Sequence, residues 1–411
     1  MSELKYDLVI AGGGIAGSAL ATVMARAGKS VLVLEKTTEY PDLVRGEWIP
    51  PWGVVEAKRT GLLDVLVDAG GHYLTRHIGF GEGIDPEKAI ARALDMSTLL
   101  AGVPGPLCLR HPVACQALTD AAEATGATVR RGVTRVALEA GPSLRYTHEG
   151  AEHTATGRLV VGADGRNSVI RGQAGIALHR DPTHHLFSGM LVEGAHGWPD
   201  DAQTKGTEGD VNFLAFPQGN GRVRLYLGYT LAQKTRLAGE NAPKHFLEAF
   251  NLKSVPAAWN ESIANSTPIS HCHSYPNEDT WTDEPFADGV VLVGDSAGHN
   301  DPIIGQGVSI ALRDVRIVSD LLLSSEEWTP ALFAPYAEER AERMRRLRFV
   351  ASLQSVLDSE FTPEAAKRRK SIGERRVADP SLNMVSAAVM VGPERFPAEM
   401  FSQANWDKIV G

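Results

Sequence analysis

The sequence predicts an α/β protein: a buried parallel sheet with a separate antiparallel sheet set into it. Three observations carry that prediction. The stretch from Lys5 to Lys36 holds an apolar run, Leu8-Val9-Ile10, then a glycine turn, a helix rich in alanine and leucine, and a second apolar run, Val31-Leu32-Val33-Leu34. Two further short apolar runs, Leu159-Val160-Val161 and Val290-Val291-Leu292-Val293, each end in a turn that pairs glycine with aspartate. Short unbroken apolar runs bounded by turn residues suit strands buried on both faces. From His184 to Tyr229 the texture changes to apolar and polar alternation with a glycine turn, which predicts antiparallel strands.

The first stretch is the most informative. Gly12-Gly13-Gly14-Ile15-Ala16-Gly17 fits G-x-G-x-x-G and is followed by a helix over Ser18–Ala27 that Gly28 ends. Gly12 permits the tight turn, Gly14 lets backbone approach a pyrophosphate, and Gly17 lets the helix pack on the strand. Ile15 and Ala16 complete the turn, and the helix N-terminus that follows offers unpaired N–H groups and partial positive charge to phosphates. Glu35 lies 18 residues past Gly17, where an acid takes ribose hydroxyls, with Lys36 beside it. Dinucleotide binding is the reading.

Composition narrows the rest. A chain of 411 residues suggests two or three domains, and a net charge of -9 gives no attraction for nucleic acid or an anionic membrane. Three cysteines, Cys108, Cys115 and Cys272, make no disulfide framework, so a reducing compartment, the cytoplasm, is expected. No stable membrane insertion is expected. His271 and His273 alternate on one strand face but lack further ligands at useful spacing, and a structural metal takes about four. No metal is predicted.

The remaining elements follow in chain order. Arg45-Gly46-Glu47-Trp48-Ile49-Pro50-Pro51-Trp52 reads as a shaped loop. Arg45 either touches a phosphate or substrate or pairs with a surface acid, and Trp48 and Trp52 either wall a pocket or are core. Val54–Val67 reads as a helix, and Thr75–Gly81 with Lys88–Leu94 as a short strand pair. Arg110 sits where the chain enters a helix opened by Pro112. A strand over Thr128–Arg131 precedes a polar three-stranded meander ending near Thr156. The strand before Asp164-Gly165 delivers a carboxylate able to accept from ribitol or ribose hydroxyls, with Gly165 keeping the backbone clear. In the predicted hairpin Val223, Leu225 and Leu227 face one way, and Arg222, Arg224 and Tyr226 the other. One face should pack under helices and the other roof a ligand cavity, with Phe187, Phe213 and Tyr226 as apolar walls. Gly294-Asp295 leads through Pro302 to Gly305-Gln306-Gly307-Val308 and a helix running through Asp314. A helix start there aims its dipole at a ligand, the right electrostatics for an isoalloxazine ring that gains negative charge on reduction. Phe333–Leu357 reads as a long amphipathic helix whose charge run, Glu338–Arg348, should be solvated, and the tail after Phe361 as further helix.

These segments together resemble the class A flavoprotein monooxygenases, the para-hydroxybenzoate hydroxylase-like family, over about residues 5 to 320. Gly12–Gly17 with Glu35 resembles the family's ADP-binding motif. Gly162-Ala163-Asp164-Gly165 with Ser168 and Arg171 resembles its Asp-Gly motif, associated with FAD and NAD(P)H. Gly294-Asp295, Pro302, Gly305, Gly307 and Asp314 resemble its Gly-Asp motif, whose aspartate binds the ribitol of FAD. Arg110 and Arg45 resemble the arginines near flavin and pyrophosphate. The resemblance implies an FAD-binding, Rossmann-like domain of the glutathione-reductase type, with an inserted antiparallel-sheet substrate domain and C-terminal helices. The boundaries expected are 1–74, 101–180 and 281–325 for the FAD domain, 75–100 and 181–280 for the substrate domain, and 326–411 for the helices. It implies non-covalent FAD and NAD(P)H, and O2 activated as a flavin C4a-hydroperoxide that oxygenates a small aromatic or conjugated substrate. Family members commonly carry histidine four residues after the glycine of Gly-Asp. Here Gly298 stands there and His299 one place later. No catalytic base is assigned; Arg45, His299 and Pro302 are the candidates. The rival readings are a reductase or dehydrogenase without oxygen insertion, as in the family's isoprenoid-saturating branch, and a non-catalytic flavin-binding sensor.

Overall fold

In a computed structural model, which describes residues 4–42, 44 and 46–411, the apolar runs become one six-stranded sheet. Its order is Phe286–Ala287, Val290–Leu292, Leu159–Gly162, Leu8–Ala11, Val31–Leu34, Thr128–Arg130. All neighbours are parallel except the first pair. Ala11 lies beside both Gly162 and Leu34, and Gly162 beside Leu292. The strands therefore end level, and the turns after Ala11, Gly162 and Leu292 meet at one edge, where ligands bind in sheets of this kind. Glycine is required for that meeting. A Cβ on Gly12 would lie 2.4 Å from the Ala163 carbonyl oxygen, and one on Gly17 would lie 1.9 Å from that of Gly12. Helix Ile15–Arg26 packs against helices His111–Ala124 and Gly307–Ser324, covering the sheet.

The second sheet has eight strands. Thr267–Pro268, His185–Glu193, Val223–Tyr229, Val211–Pro217, Ala202–Glu208, Arg76–Gly79 and Leu94–Asp95 lie in that order, and His273–Asn277 also pairs with His185–Glu193. One face buries Met190, Phe213, Leu225 and Leu227 with Phe246 and Phe250. On the other, Leu214, Phe216, Tyr226 and Tyr275 stay half-buried and look toward the first unit.

Three local readings need correction. Residues 88–94 are not a strand: Asp85 accepts from Lys88 N and caps helix Pro86–Ala91, leaving Leu94–Asp95 to pair with Arg76–Gly79. The stretch read as one helix over 54–67 is two, Pro51–Arg59 and Leu63–Asp68, parted where Gly61 takes φ +67°. The charge run Glu338–Arg348 is not wholly solvated. Arg340 and Arg343 are 2% and 3% exposed and pair with the buried Asp314 of helix Gly307–Ser324. Helix Ala334–Asp358 and the helices after it pack on the first unit. Among the described residues no helix is long and apolar enough to cross a membrane.

The glycine turn gives a stability test. Gly17→Ala should cost about 3 kcal/mol or more, because the added carbon meets backbone that cannot rotate away. Gly14→Ala, with nothing within 4 Å of its new carbon, should change stability by only about 0.5 kcal/mol. Urea denaturation of the two variants measures the contrast.

Candidate active site

The first turn is braced from two sides. Glu35 follows strand Val31–Leu34, and its Oε2 accepts from Gly13 N at 2.6 Å while Oε1 accepts from Thr37 N and Oγ1, each at 2.8 Å. Ser18 and Tyr40 hydroxyls donate to the Gly13 carbonyl from the other side, at 2.7 and 2.5 Å. Gly14 faces open space, Ile15 and Ala16 are buried behind it, and Lys36 is exposed nearby. Helix Ile15–Arg26 has no side-chain N-cap and no acid in its first turn. Its positive end is left open.

The second turn is braced by its own carboxylate. Both Asp164 carboxylate oxygens are taken: Oδ1 by Ser168 Oγ at 2.5 Å, Oδ2 by Val169 N at 2.7 Å and Ile170 N at 3.2 Å. Asp164 thus serves the start of helix Val169–Gln173. Gly165, at φ +80°, leaves free space beside it.

In the third turn Asp295 is half-buried and pairs with Arg166 at 3.3 Å. Gly294 N donates to Asp314 Oδ2 at 2.9 Å. Arg340, itself bonded to Asp314, donates to the carbonyls of Gly294, Ala297 and Gly298. That one guanidinium fixes the whole 294–298 loop. The chain then runs through the turn Pro302–Ile304 to Gly305, at φ +62°, and Gly307, which opens its helix. Gly307 faces open space, and this helix too has neither a side-chain cap nor an acid in its first turn. Val308 packs near Gly46, while the Gln306 amide turns inward to Trp52, Ile304 and Val389.

The second sheet, antiparallel except where Arg76–Gly79 pairs with Ala202–Glu208, supplies the facing wall. Strand alternation puts Phe187 and Gly189 on the same face, and register sets Tyr275 beside Phe187 and Tyr226 beside Gly189. Ring centroids step from Trp48 to Phe216 at 5.8 Å, to Tyr226 at 5.9 Å and to Phe187 at 6.4 Å. Trp48 closes this row onto Gly305, where a Cβ would lie 2.8 Å from its ring. Two residues expected as walls lie elsewhere. Phe213 is paired with Leu227 and so faces the opposite core, packing on Phe250. Trp52 is 2% exposed in the first core, its Nε1 donating to Gln306 Oε1 at 2.7 Å. Phe216 and Tyr275 are the wall residues the sequence reading missed. For Phe216 the signal was parity, since it stands an even number of residues from Leu214, the partner of Tyr226.

A buried ionic cluster joins the two walls. Arg224 is fully buried and donates to Glu47 through Nε and Nη2, to Asp42 at 2.9 Å and to Ser270 Oγ at 3.2 Å. Asp42 also receives Arg110 at 3.2 Å, and Glu47 receives Gln218 Nε2 at 3.1 Å. Burial pushes the Glu47 carboxyl above its ordinary range against the pull of Arg224. At Asp42 burial pushes up as well, but Arg224 and Arg110 outweigh it and hold the carboxyl low. Arg45, expected near the pyrophosphate, lies outside the described residues.

Of the other catalytic candidates, Pro302 is half-buried at the turn, and His299 is buried with Nδ1 2.8 Å from Thr280 Oγ1. Burial pushes the His299 imidazole down to about 4, so it is neutral at physiological pH. Asp301, not singled out from sequence, is 1% exposed, and its Oδ1 accepts from Asn277 Nδ2 at 2.8 Å and Ile303 N at 2.9 Å. Burial, reinforced by Asp279, pushes its carboxyl up to about 7. Two concavities lie off the turns. One of about 1250 Å³ opens between helices Ala242–Ala249 and Ala257–Ala264, behind the sheet. Another of about 540 Å³ is bounded by Tyr40, Asp42 and Arg110.

Two helix N-termini without caps, each beside a glycine facing open space, fit an anionic dinucleotide whose pyrophosphate and reduced ring both need positive partial charge. With an aromatic sheet opposite, the class defined is a flavin-dependent oxidoreductase. The chain belongs to the FAD binding domain family, whose sequence model matches residues 5–349, the family of the class A flavoprotein monooxygenases, and is an FAD-dependent oxidoreductase. Digeranylgeranylglycerophospholipid reductase 1 of Methanococcoides burtonii is 28% identical over 319 residues, covering 75% of this chain and 72% of that one. The 3-demethoxyubiquinol 3-hydroxylase of Escherichia coli is 26% identical over 370 residues, covering 87% and 90%. The crystal structure of p-nitrophenol 4-monooxygenase PnpA from Pseudomonas putida shares the fold with a TM-score of 0.79 at 16% identity, covering 95% of this chain and 99% of that one.

Asp301 predicts a pH effect on stability. Its folded-state pKa, about 7, lies above the unfolded value, so the folded protein holds the extra proton. The stabilisation is full below pH about 4 and is lost as pH rises through 7. Asp301→Asn removes this titration and should flatten the fall in stability between pH 5 and 8, by on the order of 2–4 kcal/mol. Asp279, pushed up to about 6, retains part of the slope. Denaturant melts across that range measure it.

Proposed function

We propose that the enzyme uses NAD(P)H and O2 to oxygenate a small aromatic or conjugated organic molecule held between the 302–308 turn and the antiparallel sheet. The observation that carries this reading is the row Trp48, Phe216, Tyr226 and Phe187 closing on Gly305. In it, Gly12, Gly14, Ile15, Ala16 and Gly17 cradle the pyrophosphate, with Lys36 on the adenosine side, Arg45 toward the pyrophosphate and Arg110 toward the flavin. Glu35 takes the ribose. Asp295 takes the ribitol by exchanging part of its contact with Arg166, while Asp164 and Gly165 shape the neighbouring turn. Gly294 holds the strand end, and Pro302, Gly305, Gln306, Gly307 and Val308 form the seat of the ring. FAD supplies the redox and oxygen-activating chemistry when bound; the chain orients the substrate and keeps water out. Trp48 and Phe216 form the apolar part of that barrier. The strands of the parallel sheet fall within 1–74, 101–180 and 281–325, and those of the antiparallel sheet within 75–100 and 181–280, which supports the division into FAD and substrate domains. Cys108, Cys115 and Cys272 form no disulfide among the described residues, which supports the reducing cytoplasm as the compartment.

The second reading, a reductase without oxygen insertion, is favoured by the likeness to the Methanococcoides reductase. Labelled O2 separates the two. Product carrying one labelled atom, with turnover that stops after a single flavin reduction in the absence of oxygen, is the expected result. Unlabelled product or steady anaerobic turnover establishes the reductase instead. Asp295→Ala should fold normally yet lose FAD affinity by roughly 10-fold or more, the usual cost of an unmatched polar partner. A variant that purifies yellow with unchanged affinity removes Asp295 from the cofactor site.

A further inference from the structure

Behind the turn that seats the ring in this reading lies a buried pair of carboxylates, Asp279 and Asp301, each 1% exposed. Asp301 immediately precedes Pro302, and its Oδ1 accepts from Ile303 N at 2.9 Å, so it caps the turn Pro302–Ile304 itself. Asn277 Nδ2, from the antiparallel sheet, donates to the same oxygen at 2.8 Å. Asp279 is built alike: its Oδ1 accepts from Asp301 N at 2.9 Å and from Asn300 Nδ2 at 2.8 Å. In both carboxylates Oδ1 has two donors, while Oδ2 is buried with no partner among the described residues. Asn277 Oδ1 and Asn300 Oδ1 are buried and unmatched as well. Buried polar atoms nearly always find a partner, so four bare acceptors mark a cluster short of hydrogen. A proton on each Oδ2 turns two of the four into donors.

The surroundings set how the pair titrates. On Asp301 burial is the largest influence, joined by the charge of Asp279 and opposed by Ile303 N, Asn277 and Arg166, and the carboxyl is pushed up to about 7. On Asp279 burial again leads, joined by Asp181 and opposed by Asp301 N, Asn300 and Arg348, and the carboxyl is pushed up to about 6. His185, with Nε2 at 3.8 Å from Asp301 Oδ1, is pushed down to about 3 by burial and stays neutral. Burial pushes the Tyr275 hydroxyl up, so it keeps its proton. The two carboxyls are therefore the members of this cluster that exchange protons near neutral pH. Asp181, whose N donates to the Asp279 carbonyl at 3.0 Å, and Arg348 are half-buried and mark the side toward water.

We propose that the Asp279–Asp301 pair is a redox-linked proton store, which takes up a proton from water when the flavin is reduced and returns it on reoxidation. This rests on the reading above that places the ring at the 302–308 turn. NAD(P)H delivers two electrons and one proton together, so the ring gains one negative charge. One H⁺ from water then converts a carboxylate of the pair to the acid, and the net charge behind the turn is restored. The cause is electrostatic, because a new negative charge beside a buried carboxylate favours its neutral form.

Anaerobic reduction of the FAD-loaded enzyme by NAD(P)H, in weak buffer with a pH-indicator dye, counts the protons. Wild-type enzyme at about pH 7.5 should take up about 0.3–0.6 proton per flavin, as linkage to a carboxyl near 7 requires. Asp301→Asn should lower that uptake at least about 3-fold. Asp279→Asn removes a neighbouring charge and should move the pH of greatest uptake downward; with the wild type it decides the matter if Asp301→Asn does not fold. The absorbance of the oxidised flavin should also shift across neutral pH in the wild type and not in Asp301→Asn, a sign that the ring lies beside the pair. No uptake by the wild type, equal uptake in Asp301→Asn, or an unmoved optimum in Asp279→Asn overturns the proposal. Where the wild-type absorbance still responds to pH, the store alone is overturned. Where it does not, the placement of the ring at this turn falls with it.

Discussion

One buried guanidinium holds the two halves of this enzyme together. Arg224 projects from strand Val223–Tyr229 of the antiparallel sheet and takes two carboxylates, Asp42 and Glu47, from the segment that follows Glu35 in the cofactor unit. Such groups lose much hydration on burial, and their mutual attraction does little more than offset that loss. Removing one partner is another matter, because it strands the others without water and costs about 3–5 kcal/mol. The cluster therefore acts as a constraint: strand and loop must stay in contact. Other close fits follow from it. Val44 seats against Gly189, whose added Cβ would lie 2.1 Å from it, although Val44 itself is held at φ +53°, an unfavourable backbone for a β-branched residue. Trp48, just past Glu47, is brought onto Gly305 and completes the aromatic row.

The cofactor side is fixed by the same logic. Asp314, fully buried on helix Gly307–Ser324, takes Arg340 and Arg343 from the long helix Ala334–Asp358. Through Arg340 this pair reaches the backbone of the third turn. Positive charge is thus consumed inside the supports. The helix N-termini at Ile15 and Gly307 stay without compensating acids. The site combines a dipole-rich floor with an apolar roof, and its polar clamps lie behind both. That separation suits a flavin, which needs fixed dipoles near the ring and phosphates and a dry space above.

The parts legible in the sequence were those whose cause is local. A glycine turn between two apolar runs declares itself because only glycine tolerates backbone at 1.9 Å from the position of its missing carbon. Strand parity likewise put Arg224 and Tyr226 on one face. What escaped depends on partners distant in the chain. Choosing between Phe213 and Phe216 required the register of Val211–Pro217 against Val223–Tyr229. The strand Ala202–Glu208 carries no apolar alternation and forms because neighbours on both sides offer ladder bonds. Arg340 and Arg343 read as surface charge until Asp314 is found beneath them. The second task of Asp164, bracing the helix start at Ser168 to Ile170, escaped because so short a helix does not announce itself.

A crystal structure of the enzyme with FAD bound tests most directly whether the cofactor runs from Gly14 to Gly307 beneath the aromatic wall. The pyrophosphate is predicted at the N-terminus of helix Ile15–Arg26, and the isoalloxazine ring against Gly305–Gly307 with Tyr226 and Tyr275 on the substrate side. A ring lodged away from that turn, or a pyrophosphate away from Gly14, would contradict it.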